Sequence, residues 1–326
     1  VARYVVKRIL ISIPILLIVT FLTFWAVKLG TDPVASYLRV NPRATPEQIL
    51  AYQEANGLIG STPEQYVRWL GNFVTLDWGN SIKGKKPVLP DIQDAIANSL
   101  VLGGTASLVS ITLGIGIGII AALRQYSKFD TTATAGAFVG ISIPPFVSAI
   151  TLQIIFAVLI TRWFNLDQPF LPTSGVYPAG QTEFDLGLRI RHLILPVSVV
   201  AIQIVAVYSR YMRASLLEVK HSDYMRTARS KGISERQVIV RHALRNAMIP
   251  IVTVAALDFG AIVGGLIITE RIFEYNGTGD FLITALSNGD FPQLMPLMVI
   301  IVSSIIIFNL IADISYAWLD PRIRLG

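Results

Sequence analysis

Cysteine is absent from this chain, histidine occurs only three times, and charged residues make up only 15% of its 326 positions. Without cysteine there is no disulfide, no thiolate metal site and no cysteine nucleophile. The spacing of His192, His221 and His242 matches no HExxH or similar cluster. No hydrolytic or metal site emerges, so the chain reads as non-catalytic and without a cofactor of its own. Soluble domains carry about 25% charged residues. With 53% hydrophobic residues and a mean hydropathy of +0.59, this composition is that of a membrane protein. Two further absences narrow the class. No ten-residue alternation of a membrane barrel is present, and no internal repeat supports an inverted-repeat transporter.

What is present is a series of six apolar segments, at 9–30, 97–123, 131–161, 192–214, 243–270 and 292–318. Only helices and closed barrels satisfy backbone groups in lipid, so all six are expected to be helices in an all-α polytopic membrane protein. The first follows Arg3, Lys7 and Arg8 and runs 19 residues from Ile9 to Val27, longer than the core of a signal peptide. It is read as an uncleaved span of about 28 Å with its N-terminus inside. Six spans from an inside start also end inside, and the loops that this places in the cytoplasm hold Arg124, Lys128, Arg322 and Arg324.

The organisation expected is a first span at 1–30, an extracytoplasmic insert at 31–95, and a five-span core at 96–326 containing a cytoplasmic loop at 215–242. The insert is rich in proline and mixed charge. Within it TPEQILAYQEANGL and STPEQYVRWLGNFV each read as a short helix with proline near its start, where the missing N–H is harmless. A small cap that meets a partner and a disordered spacer are the two readings of this insert. In the third span Pro144 and Pro145 sit in the middle of 31 residues and should kink the helix. The bend marks a gate or serves packing alone.

Two motifs are false friends. Gly79 to Lys86 nearly spells a phosphate-binding loop, but Lys86 replaces the hydroxyl residue that would hold Mg²⁺, and Pro87 follows. Gly114, Gly116 and Gly118 follow no strand, so they are not a dinucleotide fingerprint; Gly114 and Gly118 instead form a GxxxG for close helix packing. Ionisable groups inside the spans are few. Asp258 lies deep in the fifth and Asp313, with Asn309 one turn away, in the sixth. For Asp258 both a place on a translocation path and a satisfied packing role are open.

The densest chemistry lies between Arg210 and Arg245, where nine Lys/Arg face Glu218, Asp223 and Glu235. This segment nets +6, equal to the net charge of the whole chain, and the apolar background argues against nucleic acid as its partner. Ser222 or Asp223 can cap a short helix starting near Tyr224. Gly232 supplies the left-handed position that ends it, and Ser234-Glu235-Arg236-Gln237 reads as a capping box opening a second helix that runs into the fifth span. Tyr224, Met225 and Ala228 give an apolar strip, and Arg226, Arg229 and Lys231 a charged rim. An aromatic anchor with an arginine rim suits a groove on a protein partner. A helix lying on lipid headgroups explains the charge but not the glycine bend.

These residues resemble the EAA loop of ABC-importer permeases, and specifically the B-type membrane subunit of the dipeptide, oligopeptide or nickel permeases. The match runs through Asp223-Tyr224, Arg226 to Arg229, Lys231-Gly232, Arg241 to Asn246 and Pro250. It extends to Asp77-Trp78-Gly79 with Pro87-Val88, Gly264-Gly265 to Glu270, Gly277-Thr278-Gly279 and Asp320 to Arg324, covering most of the chain. The family's Glu-Ala-Ala is here Arg226-Thr227-Ala228, a departure usual in the peptide branch.

The resemblance implies a type I importer permease fold in a bacterial cytoplasmic membrane, with both termini cytoplasmic. The loop would be a coupling helix seated in an ATPase subunit, with Asp223, Tyr224, Met225, Arg226, Ala228, Arg229, Gly232, Ile233 and Arg236 as its site residues. It also implies a homologous second permease, ATPase subunits that hold ATP and Mg, and an extracytoplasmic solute-binding protein, with peptide as the solute, or nickel or another small solute. Pro144, Pro145 and Asp258 are the candidates for path or gate. An ion-coupled transporter working alone is the competing class, and it would want several midplane carboxylates. A membrane-embedded enzyme is weaker still.

Overall fold

The computed structural model describes residues 2–319 apart from 179 and 182, leaving out the side chains of 2–4, 253, 313 and 315–319. The side chain of Asp313 and the Asp320 to Arg324 motif therefore lie outside the described residues. Within them the structure is helical, with a single isolated bridge between Asn80 and Pro87.

Helix α1 (Ala2–Thr31) is followed by three short helices, α2 (Pro33–Val40), α3 (Pro46–Ala55) and α4 (Thr62–Val74). Two long helices form the centre, α5 (Val88–Leu123) and, later, the partner it packs against. Between them come α6 (Lys128–Ser142), α7 (Pro145–Gln153), a π-helical turn at Ile154–Leu159 and α8 (Ile160–Trp163). The partner is α9 (Leu186–Lys220). Helix α10 (Asp223–Ser230) and α11 (Glu235–Gln237) follow, then a second π turn at Val238–Ala243 leading into α12 (Leu244–Ile262). The chain closes with α13 (Ile267–Ile272), α14 (Thr278–Asn288) and α15 (Phe291–Leu319).

Six helical stretches among the described residues are long and apolar enough to cross a membrane. They are Val5–Thr31, Val88–Leu123, Pro145–Trp163, Leu186–Lys220, Glu235–Ile262 and Phe291–Ala312. The expectation of one kinked third span is corrected to two separate helices. Proline disfavours the helical conformation of the residue before it, and Ile143 is extended at ψ 121°. Helix α6 therefore stops at Ser142 and α7 restarts at Pro145, while Gln203 on α9 donates to the Ile143 carbonyl at 2.9 Å. The fifth span ends at Ile262, short of the expected 270, because Gly265 turns the chain in the left-handed region at φ +80°.

The GxxxG of α5 acts as a packing device. A Cβ on Gly114 would lie 2.6 Å from Tyr208 Cβ, and one on Gly118 2.6 Å from Met212 Cβ, whereas Gly116 faces open space. The glycines let α5 and α9 meet backbone to backbone along their length, and this pair anchors the other spans. At one end α4 of the insert packs onto α1 and α15 through Tyr66, Trp69, Phe24 and Phe291. The Tyr66 hydroxyl also lies 2.7 Å from Thr20 Oγ1. The insert starts its helices as proline at a first turn allows: α3 is closed by a Thr45–Gln48 capping box and α4 by Ser61–Glu64. The near-phosphate loop is filled by the chain itself, since Ser81 Oγ and Ile82 N both donate to Asp290.

Candidate functional site

The basic loop folds into a small helix slung across one end of the bundle. Helix α10 begins after Ser222, whose backbone is extended at ψ 155° but whose hydroxyl donates back to Val219 O at 2.6 Å rather than capping forward. Gly232 is left-handed at φ +73°, and its N–H donates to Arg229 O at 3.0 Å, closing the helix end. A Cβ at Gly232 would meet nothing within 4 Å, so only backbone conformation calls for glycine there.

The apolar strip is not one surface. Met225 is fully buried and Ala228 nearly so, both packed against Met212 and Leu216 of α9, Ala122 of α5, and Val238, Ala247 and Ile251 of the α12 arm. Ile233 packs on the edge of the same cluster. These side chains seat α10 on its own spans and do not face a partner. The outer face is polar, made of Asp223, Arg226 and Thr227, with Tyr224 at its edge, 43% exposed. The reason is amphipathic spacing: Met225 and Ala228 lie three apart, so they share the face that tertiary packing claims.

Tyr224 is itself oriented, since Asn246 Nδ2 donates to its hydroxyl at 3.0 Å. The expected capping box at Ser234 does not form, and Ser234 makes no side-chain cap bond. Glu235, the first residue of α11, is held by Arg229, which donates through Nε at 3.0 Å and Nη2 at 2.9 Å. A two-bonded guanidinium–carboxylate pair fixes geometry as well as charge, so this bridge clamps α10 to the start of the α12 arm. Arg226 makes only a long contact of 3.8 Å with Asp223, both fully or largely exposed, and such pairs contribute little. Arg236 is exposed on α11.

Pro144, Pro145 and Asp258 are not brought to this site. Asp258 on α12 accepts from the Tyr208 hydroxyl of α9 at 2.7 Å, while the two prolines lie at the α6–α7 break against α9.

Two constellations escaped sequence reasoning. The first is Asp130, buried near the start of α6 and held by Arg213 of α9 through bonds of 2.6 and 2.8 Å. Arg213, like Arg210, lies on α9 and not in the loop itself. The only signal was Ser127-x-x-Asp130, a helix-start pattern, and Ser127 does cap α6 by accepting from Asp130 N at 3.2 Å. The second is Glu270, fully buried on α13. Its Oε1 accepts from Ser99 Oγ of α5 at 2.7 Å and from Leu266 N at 2.9 Å. Its Oε2 accepts from Gly279 N at 2.8 Å and from Asp280 N at 3.2 Å, at the start of α14. Glu270 belongs to a motif visible in the sequence, yet nothing there says that four donors converge on it.

A bundle of six candidate spans with a short helix braced across one end is the architecture of a multi-pass membrane protein. The chain belongs to the family of binding-protein-dependent transport system inner membrane components, which matches residues 114–325. It is 37% identical over 325 residues to the oligopeptide transport system permease protein AppB of Bacillus subtilis (strain 168), with 99% of each chain covered. It is 34% identical over 333 aligned positions to the dipeptide transport system permease protein DppB of Alkalihalophilus pseudofirmus, covering 98% of this chain and 99% of that one. In fold it is similar to a chain of the MetNI methionine ABC transporter in an inward-facing form, with a TM-score of 0.56 at 14% identity. That match covers 72% of this chain and 98% of the other. The protein is thus a permease subunit of a binding-protein-dependent importer, with an ABC importer permease fold.

Proposed function

We propose that this subunit carries di- or oligopeptides across the cytoplasmic membrane by alternating access, with α10 as the element through which ATPase subunits move it. The observation that carries the reading is the two-sidedness of α10. Met225 is wholly buried in the ends of α5, α9 and α12, while Tyr224, Arg226 and Thr227 remain outside. A force on the outer face would therefore be transmitted to three spans at once, as a rigid-body displacement requires. Peptide as solute is supported by the names of relatives that align with the chain end to end.

In this reading ATP and Mg belong to the ATPase subunits, and the chain works beside a homologous second permease and a solute-binding protein on the outer side. The basic loop and both termini face the cytoplasm, as the distribution of Lys and Arg favours. Pro144, Pro145 and Asp258 would lie on or beside the path.

The absence of native cysteine makes the test direct. A Thr227→Cys variant should cross-link to a cysteine placed in the ATPase groove of the assembled complex, and Tyr224→Ala should weaken capture of the ATPase. A chain that purifies alone and takes up peptide without ATP ends the reading in favour of an ion-coupled transporter.

A further inference from the structure

Arg210, the first cation of the basic segment, sits on α9, ten residues before its end at Lys220, about 15 Å along the helix. An arginine near a membrane edge normally snorkels outward to the headgroups. Arg210 does the opposite. Helices α6 and α9 run antiparallel and are pinned at one level by Asp130 and Arg213. Relative to that level Arg210 is three residues, about 4.5 Å, deeper on α9. Its guanidinium lies 4.5 Å from the ring of Phe138, which is eight residues and about 12 Å deeper than Asp130 on α6. The cation thus points toward the membrane middle.

Among the described residues Arg210 has no carboxylate within ion-pair reach; its one partner is that ring. Its neighbour Arg213 is neutralised by Asp130. Arg210 borders an open groove of about 640 Å³ along α6 and α9, lined also by Thr134, Phe138, Ile141, Val207, Tyr211 and the paired Arg213. That volume is in the range of small-molecule sites, with apolar walls and a single uncompensated cation. An ionisable group on a span that faces such a groove marks a candidate functional site.

The geometry points to Arg210 as a carboxylate-binding subsite on the translocation path, receiving the C-terminal carboxylate of a transported peptide while Phe138, Ile141 and Val207 take its apolar part. This rests on the peptide reading above. Two other occupants compete for the same cation, a lipid phosphate and a carboxylate of the second permease subunit.

The test uses the assembled complex in nanodiscs without its binding protein, and labelled dialanine to pentaalanine as free acids and as C-terminal amides. Saturation-transfer NMR should find acids bound roughly tenfold more tightly than amides, as a charge-assisted bond implies. Arg210→Met should erase that preference without weakening the amides, and Arg210→Lys should keep part of it. No preference in the unmutated complex, a preference that survives Arg210→Met, or an equal loss for both peptide forms overturns the proposal. A defect that follows anionic lipid content gives Arg210 to a headgroup, and loss of the second permease from the Arg210→Met complex gives it to the subunit interface; either overturns it. Uptake by the unmutated complex, with binding protein and ATP restored, checks the parent reading separately: if no peptide enters, that reading fails and the subsite with it.

Discussion

The two ends of the bundle solve the same problem in opposite ways. Each must tie the end of α12 or its neighbours to another element through a tight turn and a short helix. At the α10 end the turn is an exposed Gly232, and the tie is a half-exposed Arg229–Glu235 bridge. At the α13 end the tie is Glu270, buried without an ionic partner among the described residues and saturated by four donors from α5, the residue before α13, and α14. Ser99 and Ala122 mark the two ends on α5, 23 residues and about 35 Å apart. Low-dielectric burial makes a fully satisfied network rigid and a broken one costly, whereas an exposed pair is weak and screened. One end is built as a fixed joint. The other keeps its strength in Met225 and its outer face accessible.

That contrast can be broken from its strong side first. Glu270→Ala should strand the Ser99 hydroxyl and three backbone N–H groups, at about 1–3 kcal/mol for each unsatisfied group. The expected result is loss of most folded complex, read as a large fall in melting temperature in detergent. Glu270→Gln, which places an NH₂ against donors, should fall between the alanine variant and wild type.

Met225→Ala should cost about 2–5 kcal/mol as a buried cavity. Because the cavity underlies α10, ATP hydrolysis should continue while uptake falls, a change in coupling ratio that Glu270→Ala would not produce without unfolding. Gly232→Ala meets no clash and should cost about 1–2 kcal/mol for a left-handed alanine. It should lower the coupling ratio with span insertion intact, as judged by membrane yield. Arg229→Gln is the mildest, expected at or below about 1 kcal/mol and vanishing in high salt. A larger, salt-independent effect would mean that this end is a fixed joint too.

The difference between the ends also explains which parts could be read in advance. Local signals survived well: the Pro46 and Pro63 helix starts, the Gly232 bend and the Gly114/Gly118 face depend on backbone conformation or size, which belong to the residue itself. Signals that need a partner did not. The Ser234–Gln237 capping box does not form, and what ties this helix start to α10 is the Arg229–Glu235 pair, which joins residues on either side of the glycine bend. Met225 and Ala228 looked like a docking strip because periodicity names a face without saying what covers it. The Pro144–Pro145 break was foreseen as a bend, but its completion by Gln203 was not.

By itself the sequence determined that the chain spans a membrane on six apolar helical stretches, and that one loop is basic, bent at a glycine and helical on both sides. These follow from hydropathy, from proline and glycine geometry, and from the cost of charge in lipid. Only the tertiary structure decided which face of α10 is buried, which acid receives Arg229, that Arg210 of α9 lies over the Phe138 ring of α6, and that Glu270 holds the far end together. Each of those is a pairing between residues distant in sequence, settled by which donors and acceptors arrive in the same place once the helices pack.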